Sequence, residues 1–451
     1  MAAKPWLLLP VETKAREFHA KLLLAAVAAE DGFEVLLGEQ NAMLHQLRHL
    51  PRGLYIDKSI ARSKTAHFRR LRQRGNRVAA WCEEGLVYRD KTSYLHERIC
   101  PESLAEADLF FCWGAVQQQD VAENIDQGRE KLVATGNPRF DLLRPGYRDL
   151  FAAEARALRE RYGDFILINT NFARYNHFNG ENFLIEVQRQ RGAITTAEQE
   201  AFFVAWRDFL GELYRGFAAM LAPLAGAFPE RKIILRPHPS ENHGRWAEEC
   251  RDLGNVEVVF EGNVVPWLIA GEVLIHNSCT TGLEGYLLDR PVIAYQPATS
   301  EVYDSYLPNV VSERARVPEQ LVDCVRRALD GDGASGGAEG RAAAERYYAG
   351  IDGLLASERV LAAVHGIDLP VPERPGPTTS VARAASHVGG PARRLARQAL
   401  RPQMAAYARQ KFPGIEIGEV RAELRRLQSA SGRFADVAAE PLAHRCYRIA
   451  A

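Results

Sequence analysis

The sequence predicts an α/β protein built from two domains of similar make. Short apolar runs alternate with helical patterns along residues 1–330, and the alternation occurs in two successive series. Such alternation is typical of βαβ units, so each series predicts a parallel sheet covered by helices. At 451 residues, 47% of them apolar, the chain is long enough to bury two domain cores.

The first series predicts six strands and an N-terminal domain over residues 1–145. The strand-like runs are 6–10, 33–39, 53–57, 77–82, 108–114 and 131–136, with helical patterns between several of them. Residues 144–163 then have the composition of a linker followed by a helix.

The second series predicts five strands and a C-terminal domain over residues 146–370. The strand-like runs are 165–172, 232–237, 256–262, 272–277 and 291–297. The long insert at 173–230 carries one strong helical pattern, because its apolar residues recur at helical spacing.

Residues 371–451 predict a linker and a basic helical tail. From Arg374 to Ile415 there is no acidic residue, and Pro402 would break a single long helix there. This segment could lie on an anionic membrane surface, or be a solvated tail or a helix docked on the body. A second acid-free stretch, 58–77, predicts either a solvated helix face or attraction of an acidic or phosphorylated acceptor.

Composition narrows the class of protein. Lys+Arg and Asp+Glu both number 57, so no overall basic charge favours nucleic acid as a partner. The seven cysteines are dispersed without a CxxC pair, which favours a reducing cytosol over a disulfide framework or a zinc site. Neither a signal peptide nor an 18-residue apolar run is found, so the sequence predicts a cytoplasmic protein that is not integral to a membrane.

The first polar cluster follows the run "KIILRP". It contains Arg236 and His238, and the flanking Pro237 and Pro239 stop the strand and fix the direction of the backbone. A rigidly presented imidazole beside a guanidinium suits a phosphate group. The alternative is that His238 only caps a turn.

The second cluster follows the run 272–277. A helix begins close to three hydroxyl groups, and hydroxyls with free N–H groups at a helix N-terminus form an anion site, although ordinary N-capping would use the same residues. Glu284 could accept hydrogen bonds from ribose hydroxyls or be structural. The nucleotide-binding candidates here are His276, Asn277, Ser278, Thr280, Thr281, Gly282 and Glu284.

The third cluster lies in the first domain, where the strand 77–82 runs directly into Glu83, Glu84 and Gly85. Ligands bind at the carboxyl ends of strands in open α/β sheets, and one of two adjacent carboxylates there can act as a general base. The alternation of side chains does not show which of Glu83 and Glu84 does so.

Several common motifs are missing from the sequence. There is no GxGxxG after the first strand, no GxxxxGK[ST] and no HExxH. Dinucleotide enzymes, P-loop kinases and zincins are therefore disfavoured. The one Asp-x-Asp pair, Asp330 and Asp332, lies in a glycine-rich loop, so no metal site and no cofactor are expected.

Taken in order, the motifs "CEEG", "RPHPSEN" and "NSCTT" resemble those of bacterial sialyltransferases and capsule Kdo transferases. With "LPVETKAREFHAKLLLA", "EEGLVY", "TGNPRFD", "TNF" and "HNSCTTGLEG", the chain is similar over residues 5–330 to the bacterial surface carbohydrate biosynthesis family of lipopolysaccharide and capsule genes.

This resemblance implies a GT-B fold, in which two Rossmann-like domains face each other across a cleft, the N-terminal one on the acceptor side. It implies a glycosyltransferase that uses a nucleotide sugar, with a CMP-linked ulosonic acid favoured as donor, and a glycan or lipid-linked glycan as acceptor at the inner membrane. Glu83 or Glu84 would deprotonate the acceptor, His238 would contact the CMP phosphate, and the hydroxyls of Ser278, Thr280 and Thr281 would complete that phosphate site.

Part of the pattern also resembles other enzymes of this fold. The segment "TGNPRFD" with the phosphate cluster is similar to CDP-glycerol glycerophosphotransferases and UDP-GlcNAc 2-epimerases. Arg139 and Asp141 are then further site candidates, although "NPRFD" could equally be a turn with an internal ion pair. A third reading is a non-catalytic scaffold that binds a nucleotide sugar, which would be expected to lose the base or the histidine.

Overall fold

The computed structural model describes residues 4–88, 90–190, 192–333, 335–371, 379–386 and 414–451. The chain forms two compact units. The first unit comprises Met1–Leu86, Lys91–Leu150 and Arg346–Ala451, and the second comprises Val87–Asp90 and Phe151–Glu345.

The strands are numbered in chain order. Those of the N-terminal part are β1 Trp6–Val11, β2 Glu34–Glu39, β3 Leu54–Asp57, β4 Arg77–Trp81, β5 Leu109–Cys112 and β6 Leu132–Ala134. Those of the second unit are β7 Phe165–Asn169, β8 Lys232–Arg236, β9 Val256–Val258, β10 Val273–His276, β11 Val292–Tyr295 and β12 Glu313–Ala315. The chain ends with β13 Ala438–Ala443 and β14 Cys446–Ala450.

Helices separate most of the strands. In the first unit they are α1 Lys14–Glu30, α2 Gln40–Gln46, α3 Thr65–Gln73, α4 Lys91–Arg98, α5 Pro101–Glu106, α6 Ala115–Ala122 and α7 Pro138–Asp141. The second unit contains α8 Ala152–Tyr162, α9 Phe183–Gln190, α10 Ala197–Ala227, α11 His243–Glu249, α12 Val264–Ala270, α13 Thr280–Leu287, α14 Tyr306–Val310 and α15 Pro318–Leu329. The C-terminal helices are α16 Gly337–Tyr347, α17 Ala356–Val364, α18 at 379–386 and α19 Ile417–Ser431. Short 3-10 turns occur at Leu47–His49, Arg62–Lys64, Arg129–Lys131 and Arg148–Phe151.

Both sheets have the strand orders of doubly wound α/β proteins. The second sheet runs β12-β11-β10-β7-β8-β9 and is parallel throughout. In the first sheet, parallel strands in the order β2-β1-β3-β4-β5-β6 are extended at the β2 edge by the antiparallel strands β14 and β13. The predicted α/β class with two Rossmann-like domains is confirmed.

Buried apolar runs explain why these segments form central strands. Every residue of β7 and β10 is buried, as expected for parallel strands that are covered by helices on both faces. One face of the second sheet packs through Ile166, Ile233 and Ile275 onto α10, where Phe217 and Leu221 are wholly buried. In α10, Thr196 and Gln199 form a capping box, which fixes the helix start within the long insert.

The structure divides the chain differently from the predicted boundaries of 146–370 and 371–451. Residues 346–371 return to the first unit, where Tyr348 packs its ring against Trp113 and Phe140, with centroid distances of 6.3 and 5.1 Å. Instead of a purely helical tail, residues 414–451 form α19 and a hairpin that completes the first sheet. Apart from 379–386 and 414–415, the predicted basic segment 374–415 lies outside the described residues.

The basic stretch 58–77 is largely paired within the first unit. Arg69 lies 2.8 Å from Glu106, and Arg72 and Arg77 each lie 3.1 Å from Asp108. Glu106 ends α5, and Asp108 follows it by two residues. The structure therefore favours the interpretation of α3 as a solvated helix whose exposed face forms ion pairs. None of the described helices combines the length and apolar character needed to cross a bilayer.

Candidate functional site

The second unit has a topological switch point between β7 and β10. These strands are neighbours, and the chain continues from β7 to β8 on one side and from β10 to β11 on the other. A crevice at the carboxyl ends of such a strand pair is where open α/β sheets bind ligands. The two loops that leave it are joined, since the Asn171 N–H donates to Asn277 Oδ1 at 2.8 Å.

Arg236 ends β8 on the strand next to the switch point. Its guanidinium lies 4.9 Å from the ring centroid of Trp267 and donates from Nη2 to the Glu261 carbonyl at 2.8 Å. The side chain forms no ion pair in the part of the chain that the structure describes, and its Nε–H has no hydrogen-bond partner there. Burial lowers the pKa of Arg236 to about 10, so the group remains a cation that a bound anion could neutralise.

His238 follows Arg236 in an exposed turn. Pro237 is buried whereas His238 and Pro239 are exposed, so the two prolines hold the imidazole at the surface. Within the turn, His238 Nδ1 accepts a hydrogen bond from the Ser240 N–H at 3.2 Å, and the main-chain N–H of His238 donates to Glu241 Oε1 at 3.0 Å.

Glu241 is a buried carboxylate that sequence reasoning missed. Besides the His238 N–H, its Oε1 accepts from Thr170 Oγ1 and from the Phe172 N–H, each at 2.9 Å. Its Oε2 accepts from Trp246 Nε1 at 2.7 Å. Burial raises the pKa of Glu241, although these four hydrogen bonds act to lower it. The signal that could have revealed it is the single acid in "RPHPSEN", next to a strand end.

His276, predicted to contact the nucleotide, is instead part of the packing beneath the loop. It is fully buried, its Nε2 lies 2.9 Å from Ser312 Oγ, and its Nδ1 accepts from the Cys279 N–H at 3.4 Å. Because Ser312 Oγ already donates to the Pro308 carbonyl at 2.7 Å, Nε2 must be the donor in this contact. Burial lowers the pKa of His276 to about 3, in agreement with a neutral ring. Neither nitrogen is left for a ligand.

The turn from β10 into α13 holds its hydroxyls in different ways. Ser278 has a left-handed backbone with φ of 58° and donates from Oγ to Asn309 Oδ1 at 2.9 Å. Thr281 Oγ1 lies 2.6 Å from Cys279 Sγ, and no side chain caps the helix by hydrogen bonding. Thr280 is half-buried and its hydroxyl bonds to no other described residue. These hydroxyls therefore do not act as ordinary N-caps, and that of Thr280 can meet a ligand.

Gly282 and Glu284 lie one turn further along α13. A Cβ at Gly282 would come within 2.5 Å of His276 Nε2, so glycine lets the helix approach the end of β10 closely. Glu284 is buried, with 2% of its surface exposed, and Asn277 is 8% exposed. Asn277 holds the two loops together through Asn171, which gives it a structural role at the switch point.

In the first unit, Glu83 and Glu84 follow β4 and share one arginine of α1. Arg16 Nη1 lies 3.0 Å from Glu84 Oε1, and Arg16 Nη2 donates to the Glu83 carbonyl at 3.2 Å, with Glu83 Oε2 at 3.7 Å. The Glu83 side chain is 11% exposed and that of Glu84 51%, so Glu84 is the more accessible carboxylate. Partial burial acts to raise the pKa of Glu84, but Arg16 outweighs it and holds the pKa below its ordinary value.

Asp141 lies apart from this carboxylate pair, whereas the charge of Arg139 acts on Glu84 and helps to lower its pKa. Asp141 is fully buried and accepts hydrogen bonds from the N–H groups of Ala356 and Ser357 at 2.7 and 2.9 Å, and from Ser357 Oγ at 2.8 Å. It therefore caps α17, which agrees with the structural reading of "NPRFD" and leaves Asp141 no access to a ligand. Arg139 lies with its guanidinium 5.5 Å from the ring centroid of Phe140.

Neither a family profile nor a curated protein matches the sequence, so membership of the surface carbohydrate family stays a prediction. Among solved structures, UDP-GlcNAc 2-epimerase from Neisseria meningitidis bound to UDP-GlcNAc is similar at 12% identity and a TM-score of 0.48, over 81% of this chain and 100% of that chain. HepE of Anabaena in complex with UDP and glucose is similar at 10% identity and a TM-score of 0.43, over 81% and 100%. Wall teichoic acid polymerase TagF is similar at 9% identity and a TM-score of 0.49, over 80% and 88%. At these values the similarities carry no assignment of function.

Asn169, the last residue of β7, is the other polar group that sequence reasoning missed. It is 4% exposed, and neither its amide oxygen nor its amide nitrogen has a hydrogen-bond partner among the described residues. In the sheet it is aligned with Arg236 of β8 and His276 of β10, so the three side chains share one face. A polar residue ending an apolar strand at the switch point is the signal that could have found it.

Proposed function

We propose that this protein is a GT-B glycosyltransferase of surface polysaccharide synthesis that transfers a sugar from a nucleotide donor to a glycan or lipid-linked glycan acceptor. The observation that carries the proposal is the set of phosphate-type donors after β8 and β10, on either side of β7. Arg236 contributes a buried cation that forms no ion pair among the described residues, and His238 and Thr280 contribute an exposed imidazole and a half-buried hydroxyl.

The preferred donor is a CMP-linked ulosonic acid such as Kdo or a nonulosonate. In the transfer, an acceptor hydroxyl attacks the anomeric carbon, the bond from that carbon to the phosphate oxygen breaks, and CMP leaves. Glu83 or Glu84 takes the hydroxyl proton, and Arg236, His238 and the hydroxyls offset the charge that develops on the phosphate. The ionised state of Glu84 that Arg16 favours suits a base.

Calorimetric titration with CMP, CDP, UMP and UDP tests the donor assignment. We expect selective binding of CMP, weakened about tenfold by His238→Ala because one hydrogen bond to a charged phosphate is lost. His365→Ala is the control, since His365 pairs with Asp31 in the first unit. Preference for UDP would favour the 2-epimerase reading, preference for CDP the CDP-glycerol reading, and no binding of any nucleotide would refute the proposal.

Assay of CMP-Kdo consumption with Glu83→Gln and Glu84→Gln tests the catalytic assignment. We expect one of the two variants to lose at least about a hundredfold in rate, the contribution typical of a general base. If the wild-type protein binds CMP but never consumes the donor with any glycan acceptor, the non-catalytic scaffold becomes the better reading.

A further inference from the structure

Glu241 connects the two loops that follow β7 and β8. Its Oε1 receives three hydrogen bonds, two from residues 170–172 after β7 and one from the main chain of His238 after β8. Its Oε2 is anchored by Trp246 of α11, which is fully buried. A carboxylate with four donors around it is therefore fixed in position on both oxygens.

Main-chain hydrogen bonds reinforce the connection between these loops. The Asn242 N–H donates to the Asn176 carbonyl at 2.8 Å, and the Phe178 N–H donates to the Ser240 carbonyl at 3.1 Å. The turn that carries His238 is thus attached to the loop 170–178 at several points, with Glu241 in the buried interior.

The turn also determines which nitrogen of His238 carries the proton. Nδ1 accepts from the Ser240 N–H, so Nδ1 must be unprotonated, and the neutral ring carries its hydrogen on Nε2. This arrangement depends on the main chain at residues 238–240, which Glu241 holds at the His238 N–H. A phosphate oxygen is an acceptor, so an Nε2–H group is the form of the ring that it needs.

We propose that Glu241 is a positioning residue for nucleotide binding: it fixes the backbone at His238 so that the imidazole presents Nε2–H to a phosphate oxygen. The proposal rests on the proposed function for the identity of the ligand. It does not place Glu241 in contact with that ligand, because the carboxylate is only 2% exposed and its oxygens are already occupied.

The test compares Glu241→Ala with Trp246→Phe in the full chain. Alanine removes both carboxylate oxygens, so the His238 N–H loses its acceptor and the turn loses its fixed geometry. Trp246→Phe removes the bond to Oε2 and leaves the bond from the His238 N–H in place. Ring nitrogen NMR spectra of His238 in the free protein report its tautomer, and calorimetry reports CMP affinity.

We expect His238 in the wild-type protein to be in the Nε2–H form and Glu241→Ala to convert it to a mixture of tautomers, with CMP affinity reduced about tenfold. Trp246→Phe should lower the melting temperature without changing the tautomer. An unchanged tautomer in Glu241→Ala, or the same change in Trp246→Phe, would overturn the proposal.

Hydrogen exchange of the wild-type protein supplies a readout that does not depend on any variant folding. The amide of His238 should be protected although the residue is exposed, and rapid exchange there would also overturn the proposal. Because tautomer and exchange are measured without nucleotide, a wild-type protein that binds no nucleotide refutes the proposed function, while these two measurements still decide whether Glu241 fixes the ring of His238.

Discussion

At the scale of single residues, Arg16 lowers the pKa of Glu84 in the carboxylate pair that follows β4. It contacts Glu84 through one guanidinium nitrogen and the Glu83 main chain through the other. Arg16→Met removes this cation, so the pKa of Glu84 should rise. If Glu84 is the base, the acidic limb of the pH dependence of kcat/KM then moves to higher pH.

Arg70→Met is the control for this experiment, because Arg70 is an exposed arginine of the same unit. Its pH profile should match that of the wild-type protein. An acidic limb that stays in place in Arg16→Met while Glu83→Gln abolishes activity would identify Glu83, rather than Glu84, as the base.

Two histidines that look alike in the sequence illustrate how much of the site could be predicted. His238 follows a buried strand and His276 ends one, and both were expected to face a ligand. The flanking prolines correctly indicated an exposed His238, but nothing near His276 in the sequence shows that Ser312, from a distant loop, hydrogen-bonds its ring. Glu241 escaped detection for the same reason, since its partners come from three separate segments.

At the scale of elements, α13 depends on a close approach to β10. A methyl group at Gly282 would collide with the ring of His276, which is fully buried and hydrogen-bonded at both nitrogens. We expect Gly282→Ala to lower the free energy of unfolding by about 1–3 kcal/mol, as is usual for overpacking. Urea denaturation measures the loss.

Gly226→Ala provides a matched control within a helix. Gly226 lies near the end of α10, and a Cβ there meets no atom within 4 Å. The substitution should raise the free energy of unfolding by up to about 1 kcal/mol, because alanine favours helix more than glycine does. Equal destabilisation by both substitutions would show that the approach of α13 to His276 is not what requires glycine.

The cap of α17 predicts a pH dependence of stability. Burial raises the pKa of Asp141 to about 6, although the hydrogen bonds that it accepts from Ser357 and Ala356 act to lower it. The unfolded chain has an aspartate pKa of about 3.9. Since the folded pKa is the higher one, the contribution of this group to stability is fully present below about pH 4 and is lost as the pH rises through about 6.

Asp141→Asn isolates this contribution from the other titrating groups. In acid the protonated carboxyl group still has an oxygen opposite each main-chain N–H group of α17, whereas the amide has an NH2 group opposite one of them, so the variant should be less stable by about 1–3 kcal/mol in acid. The difference from the wild-type protein should then shrink between about pH 4 and pH 6. Chemical denaturation at a series of pH values measures it, and a difference that grows with pH would show that the carboxylate is ionised throughout.

Elements were predictable where burial alone determines them. The apolar runs identified every strand from β1 to β11, because parallel strands covered on both faces are continuously apolar. The strands β12, β13 and β14 were missed. β12 has only three residues, and β13 contains a proline and two further exposed residues, as edge strands do, so periodicity gives no signal in either of them.

At the scale of the whole molecule, the first unit is built from segments that lie far apart in the sequence. A linear reading assigned 1–145 to one domain, whereas Arg346–Ala451 belongs to the same unit. The C-terminal segment supplies the ring of Tyr348 beside Trp113 and Phe140, the helix that Asp141 caps, and the strand that pairs with β2. Such long-range closure leaves no local pattern in the sequence.

This composition predicts which fragments fold alone. The second unit has a complete six-stranded sheet with its own core, so residues 151–345 should unfold cooperatively when expressed alone. Residues 1–150 should show no cooperative transition, because the buried carboxylate of Asp141 and the free edge of β2 lose their partners. Joining 1–150 to 346–451 through a flexible linker should restore the transition, measured by circular dichroism during heating.

The three fragments discriminate between a tail that is an accessory and one that is part of the first sheet. If residues 1–150 melt cooperatively at the same temperature as the joined fragment, then β13, β14 and α19 add no stability. In that case the predicted division, with an N-terminal domain over residues 1–145, describes the domains better. If only the joined fragment melts cooperatively, the C-terminal segment is required to fold the unit that carries Glu83 and Glu84. In that case a truncation after residue 345 should abolish sugar transfer, while nucleotide binding by residues 151–345 persists.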